Sequence, residues 1–307
     1  MAAVGRPWSD DHMAFTAKSI PDLTGKTAIV TGATSGLGLA SARALAAKGA
    51  HVVMTARDPQ RGDAALADVR QAVPQASVEV RALDTSSLAS VRDFAAAWSG
   101  PVDILMNNAG VMALPFDRSA DGVELQFATN HLGHFALTTL LRAALEAAPA
   151  ARVVNVSSVA ATQPGLPVAT VAADSDPDYD KWKSYSRSKL ANLHFTMGLD
   201  QKLRAAGSSV QAIAAHPGLA NTNLFRPDAG RISKVATKVG QSAANGALPQ
   251  LFAATAPTAK GGQYFGPRIL QARGAPTLIK PKDSATDAAL IAELWDVSQD
   301  LSGLRWS

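Results

Sequence analysis

The chain contains no cysteine, which excludes disulfide stapling, thiolate catalysis and thiolate-ligated metal sites. Charge is also sparse, at 18% of residues, and the net excess of Lys and Arg is only +4, scattered without a basic run. Neither a nucleic acid nor a membrane surface is therefore an expected partner. No stretch approaches the ~18 uninterrupted apolar residues of a membrane span. The first twenty residues include Arg6, Asp10, Asp11, His12 and Lys18 and hold no apolar core of a signal peptide. The expectation is a cytoplasmic protein with no membrane span. What is abundant is apolar surface, at 47% of the 307 residues, enough for one large α/β domain or two smaller ones.

From residue 23 onward, short β-rich runs alternate with helical stretches. The runs read as strands are Thr27–Thr31, His51–Ala56, Ser77–Leu83, Ile104–Asn107, Arg152–Ser157, Val210–Ala215 and Gly262–Phe265. Each is largely apolar on both faces, as in a parallel sheet covered by helices. Helices are expected to begin near Gly38, Arg61, Leu88, Gly122 and Lys181, and a last one to run over Ala285–Leu301 and end near Gly303. This alternation predicts an α/β fold, a doubly wound and mostly parallel Rossmann sheet of about seven strands. Residues 1–22 read as a flexible extension and 23–307 as a single domain, since no Pro/Gly/Ser linker divides them. Gln163–Lys183 reads as an inserted polar loop, and Leu219–Ala247 carries no clean strand signal; irregular segments of this kind often bind substrate.

Two local patterns carry chemistry. After the first strand comes Gly32-Ala-Thr34-Ser35-Gly36-Leu37-Gly38, whose glycines permit a tight turn and close approach of the backbone to a pyrophosphate at a helix N-terminus. The second is Tyr185-Ser-Arg-Ser-Lys189, which puts phenol and ammonium on one helical face. An ammonium beside a phenol favours the phenolate and should lower the tyrosine pKa, suiting it to proton transfer. His131 and His134 are three apart, but no acid or third histidine lies at metal spacing, so they are expected to serve helix packing and no metal site is expected.

The Gly32-x-x-x-Gly36-x-Gly38 spacing resembles that of the short-chain dehydrogenase/reductase family, and four further motifs follow in that family's order from Leu23 to Leu301. Asn107-Asn108-Ala109-Gly110 resembles the segment beside the adenosine half of the cofactor. Asn130 matches a helix asparagine that completes a proton relay through a bound water. Ser157-Ser158 closes a strand, with Ser158 at the catalytic position and Ser157 as its competitor. Pro217-Gly218, followed by Thr222, is similar to the segment that contacts the nicotinamide carboxamide. The resemblance thus implies Asn130, Ser158, Tyr185 and Lys189 as the catalytic residues, with Lys189 also binding the nicotinamide ribose beside Tyr185. The long gap between Ser158 and Tyr185, and the run Tyr185–Phe195, resemble the retinol-dehydrogenase-like branch. Light-dependent protochlorophyllide reductases are similar too, but rely on cysteines that this chain lacks. Tyr179 and Trp182 stand where they could line the site or anchor the insertion.

NAD-preferring members place an acid at the end of the second strand. Here Ala56 holds that position and Arg57 follows, with Arg61 nearby, so NADP(H) is expected over NAD(H) through a clasped 2′-phosphate. Asp84 matches the adenine-contacting acid, or else serves a helix N-terminus. The resemblance implies hydride transfer between nicotinamide and a carbonyl or alcohol carbon of a small, lipophilic molecule. A biosynthetic ketoreductase acting on a polar or polyketide-like intermediate would use the same residues. A nucleotide-sensing binding protein would not need all four. Homo-oligomers are common among similar proteins and are possible here.

Overall fold

The structure, a computed structural model, describes residues 15–162, 179–219 and 240–306. Strands β1 (Thr27–Val30), β2 (His51–Ala56), β3 (Val78–Ala82), β4 (Ile104–Asn107), β5 (Arg152–Val156), β6 (Gln211–Ala215), β7 (Tyr264–Ile269) and β8 (Arg273–Leu278) form one sheet. Its order is β3-β2-β1-β4-β5-β6-β7-β8. All pairs are parallel except β7 with β8. The order reverses between β1 and β4, so their C-terminal ends open the crevice in which such sheets bind ligands.

The parallel strands are apolar on both faces because helices cover both. Successive side chains of a strand point to opposite faces: Ile29 belongs to one core, Ala28 and Val30 to the other. The first core takes Phe94 of α3 (Leu88–Ala96), Phe135 of α5 (Gly133–Leu140), Phe195 and Leu199 of α7 (Lys181–Ala205), and Trp295 of the C-terminal helix, α11 (Ala288–Ser302). The second takes Leu45 of α1 (Gly36–Ala46), Val69 of α2 (Pro59–Ala72) and Leu251 of α9 (Leu248–Thr255). Shorter helices are α4 (Leu125–Phe127), α6 (Arg142–Glu146), α8 (Ala243–Gly246) and α10 (Asp283–Thr286). Between α4 and α5 the chain makes a π-helical turn, Ala128–Leu132.

Helix ends follow capping chemistry. Asp58 accepts from the Gln60 and Arg61 N–H groups ahead of Pro59 at the first turn of α2, and Asp180 accepts from those of Trp182 and Lys183. The C-terminal helix stops at Gly303 in the left-handed conformation, φ 66°. No helix among the described residues is long and apolar enough to cross a membrane.

Three sequence expectations change. An eighth strand, β8, adds to the expected seven as an antiparallel edge. Its Gly274 and Pro276 read against a strand, and Pro is tolerated there because an edge strand need not donate on its outer side. Residues 15–22 are packed rather than loose: Ile20 is buried, and the Phe15 ring meets Phe252 edge-on at 5.1 Å. Residues 163–178 of the expected insertion lie outside the described residues, but Lys181–Lys183 are already the first turn of α7. Of Leu219–Ala247, residues 220–239 lie outside as well.

Phe135 is fully buried, with ring centroids of Phe195 and Trp295 at 5.5 and 5.3 Å. Phe135→Ala should cost about 3–5 kcal/mol of stability, read by urea denaturation. A loss under ~1 kcal/mol, the size of a typical surface substitution, would mean that this core relaxes around the cavity.

Candidate active site

A cavity of about 560 Å³ opens at the C-terminal ends of β1 and β4. Its floor is the turn from β1 into α1, and every glycine-loop residue singled out above lines it: Gly32, Thr34, Ser35, Gly36, Leu37 and Gly38. Ser35 stands at the N-cap of α1 but makes no side-chain capping bond, so the first N–H groups of the helix are left for an anionic guest. Two glycines are required by space. A Cβ on Gly32 (φ +64°) would stand 2.8 Å from the Ala109 Cα, and one on Gly38 would stand 2.5 Å from the Gly32 carbonyl oxygen. This cradle suits a dinucleotide pyrophosphate.

The loop is fastened to β4 through Thr31. Its hydroxyl oxygen accepts from the Asn108 and Ala109 N–H groups at 2.8 and 2.9 Å, while the Asn108 amide donates back to the Thr31 carbonyl at 2.8 Å. Asn108, Ala109 and Gly110 line the cavity. Asn107 points the other way and bonds Asn155 and Thr138. At the β2 end, Arg57 and Arg61 flank the cavity with Ala56 and Asp58. The Asp58 carboxylate caps α2 through one oxygen. Asp84 also lines the wall, and one of its oxygens accepts from the Ser86 N–H and hydroxyl.

The four residues of the implied catalytic set converge at the other end. Tyr185 and Lys189 lie one turn apart on α7, both buried and both facing the cavity, with the ammonium 6.0 Å from the phenol ring centre. Lys189 Nζ donates to the Val156 carbonyl at 3.1 Å. The Ser158 side chain stands near enough to the Tyr185 phenol to favour its ionised form, and its hydroxyl accepts from the Ala160 N–H. Ser157, its competitor, lines the cavity, but its hydroxyl donates to the Lys189 carbonyl at 2.7 Å. Asn130 sits behind, clamping Val111 through both main-chain groups and donating to Ser188, whose hydroxyl in turn donates to the Tyr185 carbonyl.

Burial governs the titration of this end. It pushes the Lys189 ammonium down to about 8. It also pushes the Tyr185 phenol above its ordinary value, against a smaller opposite effect from Ser158. The lowered tyrosine expected from the Tyr-x-x-x-Lys spacing is therefore corrected: desolvation of the phenolate outweighs the one opposing effect, which comes from Ser158.

Pro217 lines the cavity, and its carbonyl accepts from Gln241. Gly218 (φ +68°) lies behind it, against the Ala272 carbonyl. Thr222 lies outside the described residues. Tyr179 is an anchor: its hydroxyl donates to Glu124 at 2.8 Å and accepts from Gln126 at 2.6 Å, tying the approach to α7 onto α4. Wall residues missed in the sequence include Asp58, Thr85, Val111, Met112, Leu114 and Thr129; the signal for three of them is that they lie within four residues after Gly110.

The short chain dehydrogenase family profile matches residues 26–230. A short-chain dehydrogenase of Brassica napus, TIC 32 B (chloroplastic), is 38% identical over 286 residues, covering 89% of this chain and 87% of that protein. Human retinol dehydrogenase 12 is 36% identical over 291 residues, covering 92% and 88%. A crystal structure of an uncharacterized Mycobacterium paratuberculosis protein superposes with a TM-score of 0.81 at 40% identity, covering 96% of this chain and all of the other.

Proposed function

Because the chain belongs to the short-chain dehydrogenase family, in its retinol-dehydrogenase-like branch, and is an oxidoreductase of alcohol and carbonyl groups, we propose that it is an NADP(H)-dependent enzyme for a lipophilic carbonyl or alcohol. The observation that carries this reading is one cavity with two chemically distinct ends. An uncapped helix N-terminus and two arginines lie at one end, and the Tyr185–Ser158 pair over a buried ammonium lies at the other. Val111, Met112 and Leu114 supply apolar lining to the same cavity, in keeping with the retinoid named for the human relative.

The Gly32–Gly38 turn would hold the pyrophosphate, and Arg57, helped by Arg61, the 2′-phosphate. Lys189 would hold the nicotinamide ribose. When bound, the nicotinamide supplies or accepts the hydride. Tyr185, protonated at neutral pH because burial raises it, gives its proton to the substrate oxygen in the reducing direction. Ser158 donates to the same oxygen, placing stabilisation where charge develops. Lys189 stays an ammonium below about pH 8 and returns a proton toward the phenol, with Asn130 holding the π turn beside it.

Tyr185→Phe should leave NADPH binding within about threefold, since it removes a single hydroxyl, and abolish reduction of decanal and retinal. Turnover near the parent's would remove Tyr185 from the mechanism. In the parent, the reduction rate should hold through neutral pH and decline above about pH 8, as Lys189 loses its proton. Alcohol oxidation, which needs the phenolate, should climb only at higher pH, toward the raised pKa of the buried phenol. A reduction rate that stays flat above about pH 8 would contradict the role of the ammonium.

Arg57→Ala should weaken NADPH by about 10- to 150-fold, the loss of one charge-assisted contact, and leave NADH nearly unchanged. Fluorescence titration of both nucleotides decides it. Equal losses would mean that Arg57 only stacks on adenine, and a parent preferring NADH would overturn the choice of cofactor.

A further inference from the structure

His131 and His134, paired by sequence, have separate roles. His131 is wedged among Phe127, Phe135 and Phe195 and bonds Ser298 of α11 at 2.8 Å. His134, equally buried, lies between the start of the glycine loop and the π turn: Nε2 is 2.9 Å from the Thr31 hydroxyl and Nδ1 is 3.0 Å from the Asn130 main-chain oxygen.

The geometry fixes the protons. A carbonyl oxygen only accepts, so Nδ1 carries the hydrogen. Burial holds the ring neutral at physiological pH, so Nε2 must accept and Thr31 must donate. Thr31 can do so, because both of its other close contacts, from Asn108 and Ala109, are N–H groups donating to its oxygen. The competing Met106 carbonyl is more distant, at 3.3 Å. One directional chain therefore runs from the Asn108 and Ala109 N–H groups through the Thr31 hydroxyl and the imidazole to the Asn130 carbonyl. Bonds aligned in this way polarise one another. The chain ends in the π turn, where the regular helical ladder is displaced. Asn130 is in turn next to the lysine: a Cβ on Gly110 would stand 3.0 Å from its Oδ1 and 3.3 Å from Lys189 Nζ.

We propose that His134 is a positioning residue, which holds the Asn130 peptide in register with Lys189 through its Nδ1–H and fastens that register to the cofactor loop through Thr31. The proposal rests on the assignment of Asn130 and Lys189 to proton return.

The test uses three variants of the full chain, assayed for NADPH binding, decanal reduction, solvent deuterium isotope effect and urea stability. His134→Asn keeps an amide N–H near the Nδ1 position, His134→Gln keeps a polar atom only near Nε2, and His134→Phe keeps bulk alone. The Gln and Phe variants should lose about tenfold or more in kcat, as expected for a lost buried hydrogen bond, with a raised isotope effect and NADPH Kd within about threefold. The Asn variant should recover most of kcat and the parent's isotope effect. If kcat per folded molecule and the isotope effect stay at the parent's values in Gln and Phe, or if Asn rescues no better than Gln, the proposal is wrong. Loss of folding in both amide variants would overturn it too, assigning the imidazole to the core. Asn130→Ala separates the two levels: turnover there at the parent's rate would undo the assignment of Asn130 itself, whereas its loss beside unaffected His134 variants would undo only the role of His134.

Discussion

Burial of the Lys189 ammonium is the constraint around which this site is built. The side chain is enclosed, and no carboxylate among the described residues pairs with it. Taking an ammonium out of water costs several kcal/mol even after relaxation, which is why its pKa falls to about 8. What the fold offers in return is a carbonyl: Val156 O, the last of β5, accepts from Lys189 at 3.1 Å and from Asn192 at 3.0 Å. Groups held under such tension are common where proton transfer is required.

That carbonyl is held in place by a polar rung crossing an otherwise apolar interior. Asn107 and Asn155 face each other in the β4–β5 register, and the Asn107 amide donates to Asn155 at 2.8 Å. Asn155 donates to the Thr196 hydroxyl, which donates to the Asn192 carbonyl. The rung ties two strands to α7 at Thr196, about two turns on from Lys189. Buried polar groups are costly unless paired, and the side-chain donors of this rung all are, while Asn107 Oδ1 and Asn192 Oδ1 meet no partner among the described residues. Trp295 and Ser298 of the C-terminal helix press on the same region from outside, through Phe135, Phe195 and His131.

The strands of the parallel sheet were legible because both faces are covered, so Thr27–Val30 or Arg152–Val156 could be read from apolar runs alone. The glycine loop was legible because Gly32 and Gly38 leave no room for a Cβ. Less legible was whatever depends on context. The β7–β8 connection turns through Leu270 and Gln271 at φ 49° and 55°, without the Asn-Gly pair that usually announces such a hairpin. The sign of the Tyr185 shift was misread because spacing shows the ammonium and not the burial. His134 read as packing because a histidine three residues from another says nothing about which nitrogen meets Thr31, a partner 103 residues away.

The same division runs along the cavity. The end where we propose that the nucleotide binds is made of main chain at the glycine positions and of the strand-end Arg57, and these are local in sequence. The cavity's apolar lining includes side chains whose only local mark is that they follow Gly110: Val111, Met112 and Leu114. On the proposed function, reaction type rests on the α7 turn bearing Tyr185 and Lys189, on a helix that the Asn107–Asn155 rung fastens to the sheet. On the same reading, substrate choice falls to the apolar lining, whose residues take no part in that rung. One fold can therefore keep the proton chemistry constant while the apolar wall varies, which is why family membership follows from the sequence and the identity of the substrate does not.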